Sequence, residues 1–307
     1  MVSITRFVFS LPARPDLGDW AGARLRGVLG KALRRIACAT HARTCHACPV
    51  RDICAYAYCF ETRAAEDGKF HSGGQDVPRP YILRRPSWEP ERGLLRFDLV
   101  LVGRAVEMFA YFALAIKEWE QPHMGPDHSA GVLEAITQRH PFSGECHPVY
   151  TRAEEVLFPL RLHLSPTDIE QAAAGIDRRV AIRFLTPTRL KHRGREVTQA
   201  PPFHTLIAAL CRRFEALEQA HDLPRIIADP RGLIGQSDGV RLAGWEGHRE
   251  ARERYSYRQK QRMHVEGIVG EAVYEGDLRP FGPALKLGEL VHVGKGAVFG
   301  LGEMEVS

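Results

Sequence analysis

The chain has 307 residues, 44% of them hydrophobic and 26% charged, which excludes a disordered or low-complexity protein and suits one large or two medium domains. Lys and Arg outnumber Asp and Glu by only 42 to 37, a net charge of +5, so any attraction for polyanions must come from local clustering. No apolar run approaches the roughly 20 residues of a membrane span.

The N-terminus carries no signal-peptide pattern, which predicts a cytoplasmic protein without a membrane partner. In that compartment its seven cysteines are expected to stay reduced. Ile4–Leu11 is a short β-type run stopped by Pro12, Pro15 and Gly18. The spacing of Leu25, Leu29, Leu33 and Ile36 then predicts a helix over Trp20–Ala37. Its remaining surface carries Arg24, Arg26, Lys31, Arg34 and Arg35 with no acid among them, a face suited to phosphates.

Cys38, Cys45, Cys48 and Cys54 follow a C-x6-C-x2-C-x5-C pattern, with Cys59 shortly after. Four thiolates at this spacing, two of them as CxxC, can close a tetrahedral metal site. Structural Zn2+ is the expected occupant, because no redox partner shows in the sequence; an iron–sulfur cluster is the alternative. His41 and His46 lie in the same stretch, and either could replace a thiolate.

Beyond a polar stretch to Pro80, Tyr81–Arg85 and Leu94–Val102 read as strands and Glu107–Glu118 as an apolar helix. Residues 122–148, rich in Gly, Pro and His, read as a loop region. Leu157–Leu164 reads as a closing strand and Ser165–Ile176 as a short linker helix or turn. The expected domains are therefore 1–176, with the cysteine cluster at 38–59, and 177–307.

The second half restarts with a strand at Arg179–Leu185, then Thr186-Pro187-Thr188-Arg189-Leu190-Lys191-His192-Arg193-Gly194-Arg195, then a helix over Phe203–His221. Strand candidates follow at 240–245, 255–265 and 268–274, a helix at 277–290, and a last strand at Ala297–Val306. Two consecutive βαββαβ-like units of an α+β protein are the expected architecture. Between Arg249 and Arg262 stand six cations against two acids. Lys191, Arg193, Arg254, Arg258, Lys260 and Arg262 are the expected polyanion contacts of this half.

Glycines at 294, 296, 300 and 302 are too frequent for a helix, where each costs about 1 kcal/mol relative to Ala. They predict a loop whose N–H groups, at Gly294 and Gly296, meet a phosphate beside the Lys295 cation. The Walker spacing of a nucleotide-hydrolysing loop is absent. His292 and Lys295 pair a titratable group with a fixed charge, while Lys191, His192 and Arg193 form a further candidate set.

Four segments in order, LRGVLGKALRRIACAT with the cysteines, FLTPTRLKHRGR, RYSYRQKQRMHVEGIVGEAVYEGDL and LVHVGKGAVFGLG, carry a resemblance that is close to full length. The chain resembles the CRISPR-associated RAMP superfamily, specifically the Cas six family of pre-crRNA-processing endoribonucleases, in the branch with a four-cysteine cluster. That resemblance implies two tandem ferredoxin-like (RRM-like) domains, the first with a cysteine-rich insertion, binding CRISPR repeat RNA. It also implies cleavage that needs no metal, in which a ribose 2′-OH attacks the adjacent phosphate to leave a 2′,3′-cyclic phosphate and a 5′-OH. The expected catalytic residues are His292 and Lys295, with His41 and His46 near the end of the first helix, where the family often places a histidine. For both of the latter a structural role is the alternative. A non-catalytic crRNA-binding subunit, working with other CRISPR effector subunits, is the competing function.

Overall fold

The computed structural model describes residues 2–63, 77–121, 130–256 and 261–307, the side chains of 254–256 and 261–263 excepted. The chain divides into two compact units, Met1–Leu164 with Gln219–Leu223, and Ser165–Glu218 with Pro224–Ser307. Among the described residues no helix is long and apolar enough to cross a membrane.

In the first unit, β1 (Val2–Ser10) is followed by α1 (Ala21–Ala37), α2 (Ala55–Phe60), β2 (Tyr81–Leu83), β3 (Ser87–Glu89), β4 (Leu94–Val102), α3 (Phe109–Lys117), β5 (Val132–Arg139) and β6 (Cys146–Thr151). The main sheet runs β2-β4-β1-β5-β6, with β3 paired to β4, and every pairing is antiparallel. Removing the edge additions β3 and β6 leaves the strand order of a ferredoxin-like βαββαβ unit. Alternation along β1 buries Phe7 and Phe9, whose rings stack with Phe97 at 5.3 and 6.4 Å. On α1 the helical spacing buries Leu25, Leu29 and Leu33, as the sequence predicts. At Gly30 the helix meets α2 so closely that a Cβ would stand 2.7 Å from the Phe60 ring.

The closing strand differs from expectation. β5 and β6 fall where a loop region was expected, and 157–164 forms no strand. The reason is a side chain. The buried Gln138 amide accepts from the N–H groups of Arg161 and Leu162 at 2.7 and 2.8 Å and donates to the Leu162 carbonyl at 2.7 Å. These extended backbone groups are satisfied without a strand ladder.

The second unit holds α4 (Pro166–Ala173), β7 (Arg179–Thr188), β8 (Lys191–His192), β9 (Arg195–Glu196), α5 (Phe203–His221), α6 (Pro230–Gln236), β10 (Arg241–Ser256), β11 (Gln261–Glu275), α7 (Gly282–Val291) and β12 (Met304–Val306). Ser165 and Asp168 form a reciprocal capping box at the start of α4, with Pro166 in its first turn. The sheet order β10-β11-β7-β12 repeats the ferredoxin-like arrangement, so the protein is a tandem of two such α+β units. The three strand candidates at 240–274 are one long hairpin, continuous in register from Arg241↔Glu275 to Ser256↔Gln261 apart from a bulge near Leu242. The last strand is confined to 304–306, because the glycines before it form turns.

Candidate nucleic-acid interface

α7 ends at Val291, and His292 turns the chain with φ 61°. The glycine segment then folds back on itself. Val293 N–H donates to the Gly302 carbonyl at 2.9 Å, and Leu301 N–H to the Gly296 carbonyl at 3.3 Å. His292 is fully buried, with Nδ1 donating to the Leu301 carbonyl at 3.0 Å. From outside the loop, Arg213 Nε donates to the Val291 carbonyl at 3.2 Å, compensating the C-terminus of α7.

Gly294, at φ 82°, lies against β7's exit, where a Cβ would meet the Arg189 carbonyl at 2.5 Å. Gly302, at φ 72°, is pressed on the Val293 carbonyl. Neither position accepts a side chain. The result is a crest of three residues, Gly294, Lys295 and Gly296. Their N–H groups have no backbone partner among the described residues, and the Lys295 side chain is exposed. Consecutive N–H groups beside a cation make an anion seat.

This corrects one expectation. Lys295, Gly294 and Gly296 stand where a phosphate could reach them, but the His292 ring is used inside the loop, with none of its surface exposed.

Beside the loop, Arg189 leads into the β8–β9 hairpin, closed through Arg193 and Gly194 at φ 49° and 82°. Arg189 Nη2 holds Glu196 Oε1 at 2.8 Å, and this pair keeps the Glu196 carboxyl below its ordinary range. Lys191 and Arg193 are exposed. His192 Nδ1 lies 2.8 Å from Thr205 Oγ1, and its ring meets that of His204 edge-on with centroids 5.0 Å apart. His204 Nδ1 lies 3.9 Å from Asp238 Oδ1. Sequence reading missed His204 and Asp238, since they reach His192 only through folding across the 193–202 segment and the α6 turn.

In the first unit the basic helix divides its cations. Arg24 and Lys31 are exposed. Arg26 lies over the Phe60 ring at 5.3 Å, and Arg34 lies over Tyr56 at 5.7 Å while donating to the Ala42 carbonyl at 2.7 Å. Arg35 Nε donates to Glu118 Oε1 at 3.2 Å. Arg26, Arg34 and Arg35 therefore also hold the helix to its neighbours.

Arg34 fastens the cysteine loop, and Arg51 fastens it again by donating to the Cys45 carbonyl at 2.9 Å. Cys38, Cys45, Cys48 and Cys54 line one small pocket with Thr40, Val50 and Tyr56. Cys48 N–H turns back to the Cys45 carbonyl at 3.4 Å, as a CxxC knuckle requires. Thr40 Oγ1, 3.3 Å from Cys48 Sγ, and the Val50 N–H lower the Cys48 thiol, whereas burial and Glu61 raise that of Cys45. The donor set suits a thiophilic ion. Among the described residues, however, no three His, Cys, Asp or Glu side chains are already drawn together around one point. His41, at φ 51°, and His46 are both exposed on this loop. Arg258 and Lys260 lie outside the described residues, as do the side chains of Arg254 and Arg262.

Two ferredoxin-like units in tandem, the second ending in a glycine loop folded against the exit of its own first strand, define the fold class of the protein. Residues 182–304 match the family model described as CRISPR-associated endoribonuclease Cas6, and residues 2–162 match a model described as an N-terminal domain. The second unit is thus similar to the CRISPR-associated Cas6 endoribonuclease family over residues 182–304.

Solved structures agree in fold. A Cas6 product complex aligns with TM-score 0.58 at 16% identity over 100% of both chains. Thermus thermophilus Cas6 aligns with TM-score 0.56 at 14% identity over 100% of this chain and 98% of that one. A partial Cas6-RT-Cas1–Cas2 complex gives TM-score 0.58 at 10% identity, covering 100% of this chain and 46% of the other. No curated protein matches the chain.

Proposed function

We propose that the protein is a CRISPR RNA-processing endoribonuclease that binds repeat RNA and cuts it by internal transesterification. The 2′-oxygen bonds to phosphorus as the bond from phosphorus to O5′ breaks, leaving a 2′,3′-cyclic phosphate and a 5′-OH. One group takes the 2′-OH proton, another protonates O5′, and a cation steadies the phosphorane. None of these roles calls for a metal. The observation that carries the reading is the crest at Gly294, Lys295 and Gly296, whose N–H groups and ammonium suit a backbone phosphate. Lys191 and Arg193 add exposed cations in the same unit, and Arg24 and Lys31 are exposed cations of the first unit.

In the same reading, Cys38, Cys45, Cys48 and Cys54 hold a structural Zn2+ (an iron–sulfur cluster being the alternative occupant), supported by the single pocket they line. Bound there, the metal would tie the end of α1 to α2. The likeness in fold to a complex that joins Cas6 with RT, Cas1 and Cas2 supports other CRISPR proteins as partners.

The test is incubation of the protein, in EDTA, with labelled RNA of its own genomic repeat. One cut ending in a cyclic phosphate, abolished by a single 2′-deoxy substitution at that position, is expected. Tight, salt-sensitive binding without a cut would instead identify a crRNA-holding subunit.

A further inference from the structure

The connection from β1 to α1 is longer than its packing needs. β1 ends at Ser10 and α1 starts at Ala21, so ten residues join them, where strand-to-helix loops take about two to six. The loop is nonetheless held in place. Leu11 N–H donates to the Gly93 carbonyl at 2.9 Å, Pro15 is buried midway, and Trp20 is buried at the end. Asp16 Oδ1 accepts from Gly18 N–H at 2.9 Å, where Gly18 turns the chain at φ 63°.

This loop and β3 enclose a cavity of about 480 Å³ that lies wholly within the first unit. Trp88 and Leu95, partners across β3 and β4, line it. Arg14, Asp16, Asp19 and Ser87, all exposed, line it too. A void of this size, with an apolar wall and a few polar groups, suits a small planar ligand.

Trp88 differs from the tryptophans of the core. Trp20 and Trp119 are 7% and 1% exposed, whereas Trp88 is half-buried and borders the cavity. An accessible indole beside polar groups is a stacking platform for a nucleobase. The carboxylates of the loop narrow the choice of base. A carboxylate accepts two N–H bonds side by side and donates none. Guanine alone among the four bases presents two adjacent N–H donors, at N1 and N2, on its pairing edge. Adenine and cytosine place a ring acceptor beside the amino group, and uracil flanks its N–H with carbonyls. Cations for the sugar–phosphate chain stand close by: Arg14 lines the cavity, and the exposed Arg85 precedes its lining residue Pro86.

We infer that this cavity holds one unpaired guanine of the bound RNA, stacked on Trp88 with its N1–H and N2–H donating to Asp16. The inference rests on the RNA-binding part of the proposed function and adds base selection to it. Gly18 orients the Asp16 carboxylate before the base arrives, and Arg14 supplies charge for the neighbouring phosphate. The cavity selects RNA and takes no part in bond breaking.

The test uses the full-length protein and free nucleotides first. Its four tryptophans give four indole N–H signals by NMR, and the one lost in Trp88→Phe belongs to Trp88. GMP should shift that signal saturably. IMP, which lacks the 2-amino group, should bind at least about tenfold more weakly, as should AMP, CMP and UMP, and Asp16→Asn should erase the preference for GMP over IMP. Equal responses to all five nucleotides overturn the guanine assignment, and no shift at Trp88 in millimolar GMP overturns the site.

Repeat RNA with 2′-deoxyribose at the cut, or unmodified where no cut occurs, then links the cavity to its substrate. Inosine in place of one unpaired guanine should weaken binding about tenfold in wild type but not in Asp16→Asn. Trp88→Ala should weaken binding of the unsubstituted RNA roughly 5- to 100-fold, while Trp88→Phe, which keeps a ring, stays within about threefold. Should Trp88→Ala misfold, the inosine series in wild type decides. GMP binding with no inosine-sensitive position makes a free nucleotide the occupant and overturns the inference. A wild type that binds GMP and RNA as expected but never cuts supports the cavity and overturns the endoribonuclease reading alone.

Discussion

His292 Nδ1 donates to the Leu301 carbonyl at 3.0 Å from a ring with no exposed surface, so this histidine closes the glycine loop upon itself. A residue that looks suited to acid–base work in the sequence thus belongs to the loop's internal bonding. His292→Ala should lower stability by about 1–3 kcal/mol, through the lost bond and the space left behind. Denaturant unfolding checks this. RNA binding should weaken along with stability, and a variant of unchanged stability would show that the ring does not hold the loop.

Lys295 should behave differently. Lys295→Ala is expected to leave the melting temperature nearly unchanged and to weaken binding of repeat RNA. The slope of log K against log salt should become shallower by about 1, one phosphate contact. Gly294→Ala, which places a Cβ 2.5 Å from the Arg189 carbonyl, should lose both binding and stability.

On α1, substitutions should separate into two kinds. Arg24→Ala and Lys31→Ala, at exposed positions, are expected to weaken RNA binding with little change in unfolding. Arg34→Ala removes the contact over Tyr56 and the bond to the Ala42 carbonyl, and should also make residues 38–54 more sensitive to protease. Equal protease resistance in all three variants would contradict that division.

The cysteine pocket makes a prediction about composition. Wild-type protein purified without chelator is expected to carry about one zinc per chain, and Cys45→Ser with Cys48→Ser should reduce this to background by elemental analysis. Iron together with acid-labile sulfide would point to the cluster. No metal of either kind would remove the proposal.

Acid should loosen the hairpin that carries His192. The Arg189 bond lowers the folded-state pKa of Glu196, so its stabilising contribution is complete above the ordinary carboxylate range and fades as pH falls through the lowered value. Both partners are substantially exposed, so the effect should stay below about 1 kcal/mol. Amide exchange at Lys191–Glu196 in wild type and Glu196→Gln measures it. Identical protection in the two proteins at neutral pH would show that the pair does not brace the hairpin.

Much of this protein was determined by local sequence alone. α1 and α5 follow from apolar residues repeating at helical spacing, and their observed spans, 21–37 and 203–221, lie within a residue of those expected. The glycines at 294 and 296 likewise announce a loop, because backbone entropy and positive φ are properties of the residue itself. Tertiary structure decided the rest. The segment 157–164 has a strand's composition, but a single buried amide on Gln138 takes its hydrogen bonds. His292 and His204 are both histidines beside apolar residues, and nothing local tells the buried ring from the accessible one. Their different fates depend on which groups fold against them: the Leu301 carbonyl for His292, and His192 with Asp238 for His204. Those contacts join distant parts of the chain, so neither composition nor periodicity records them.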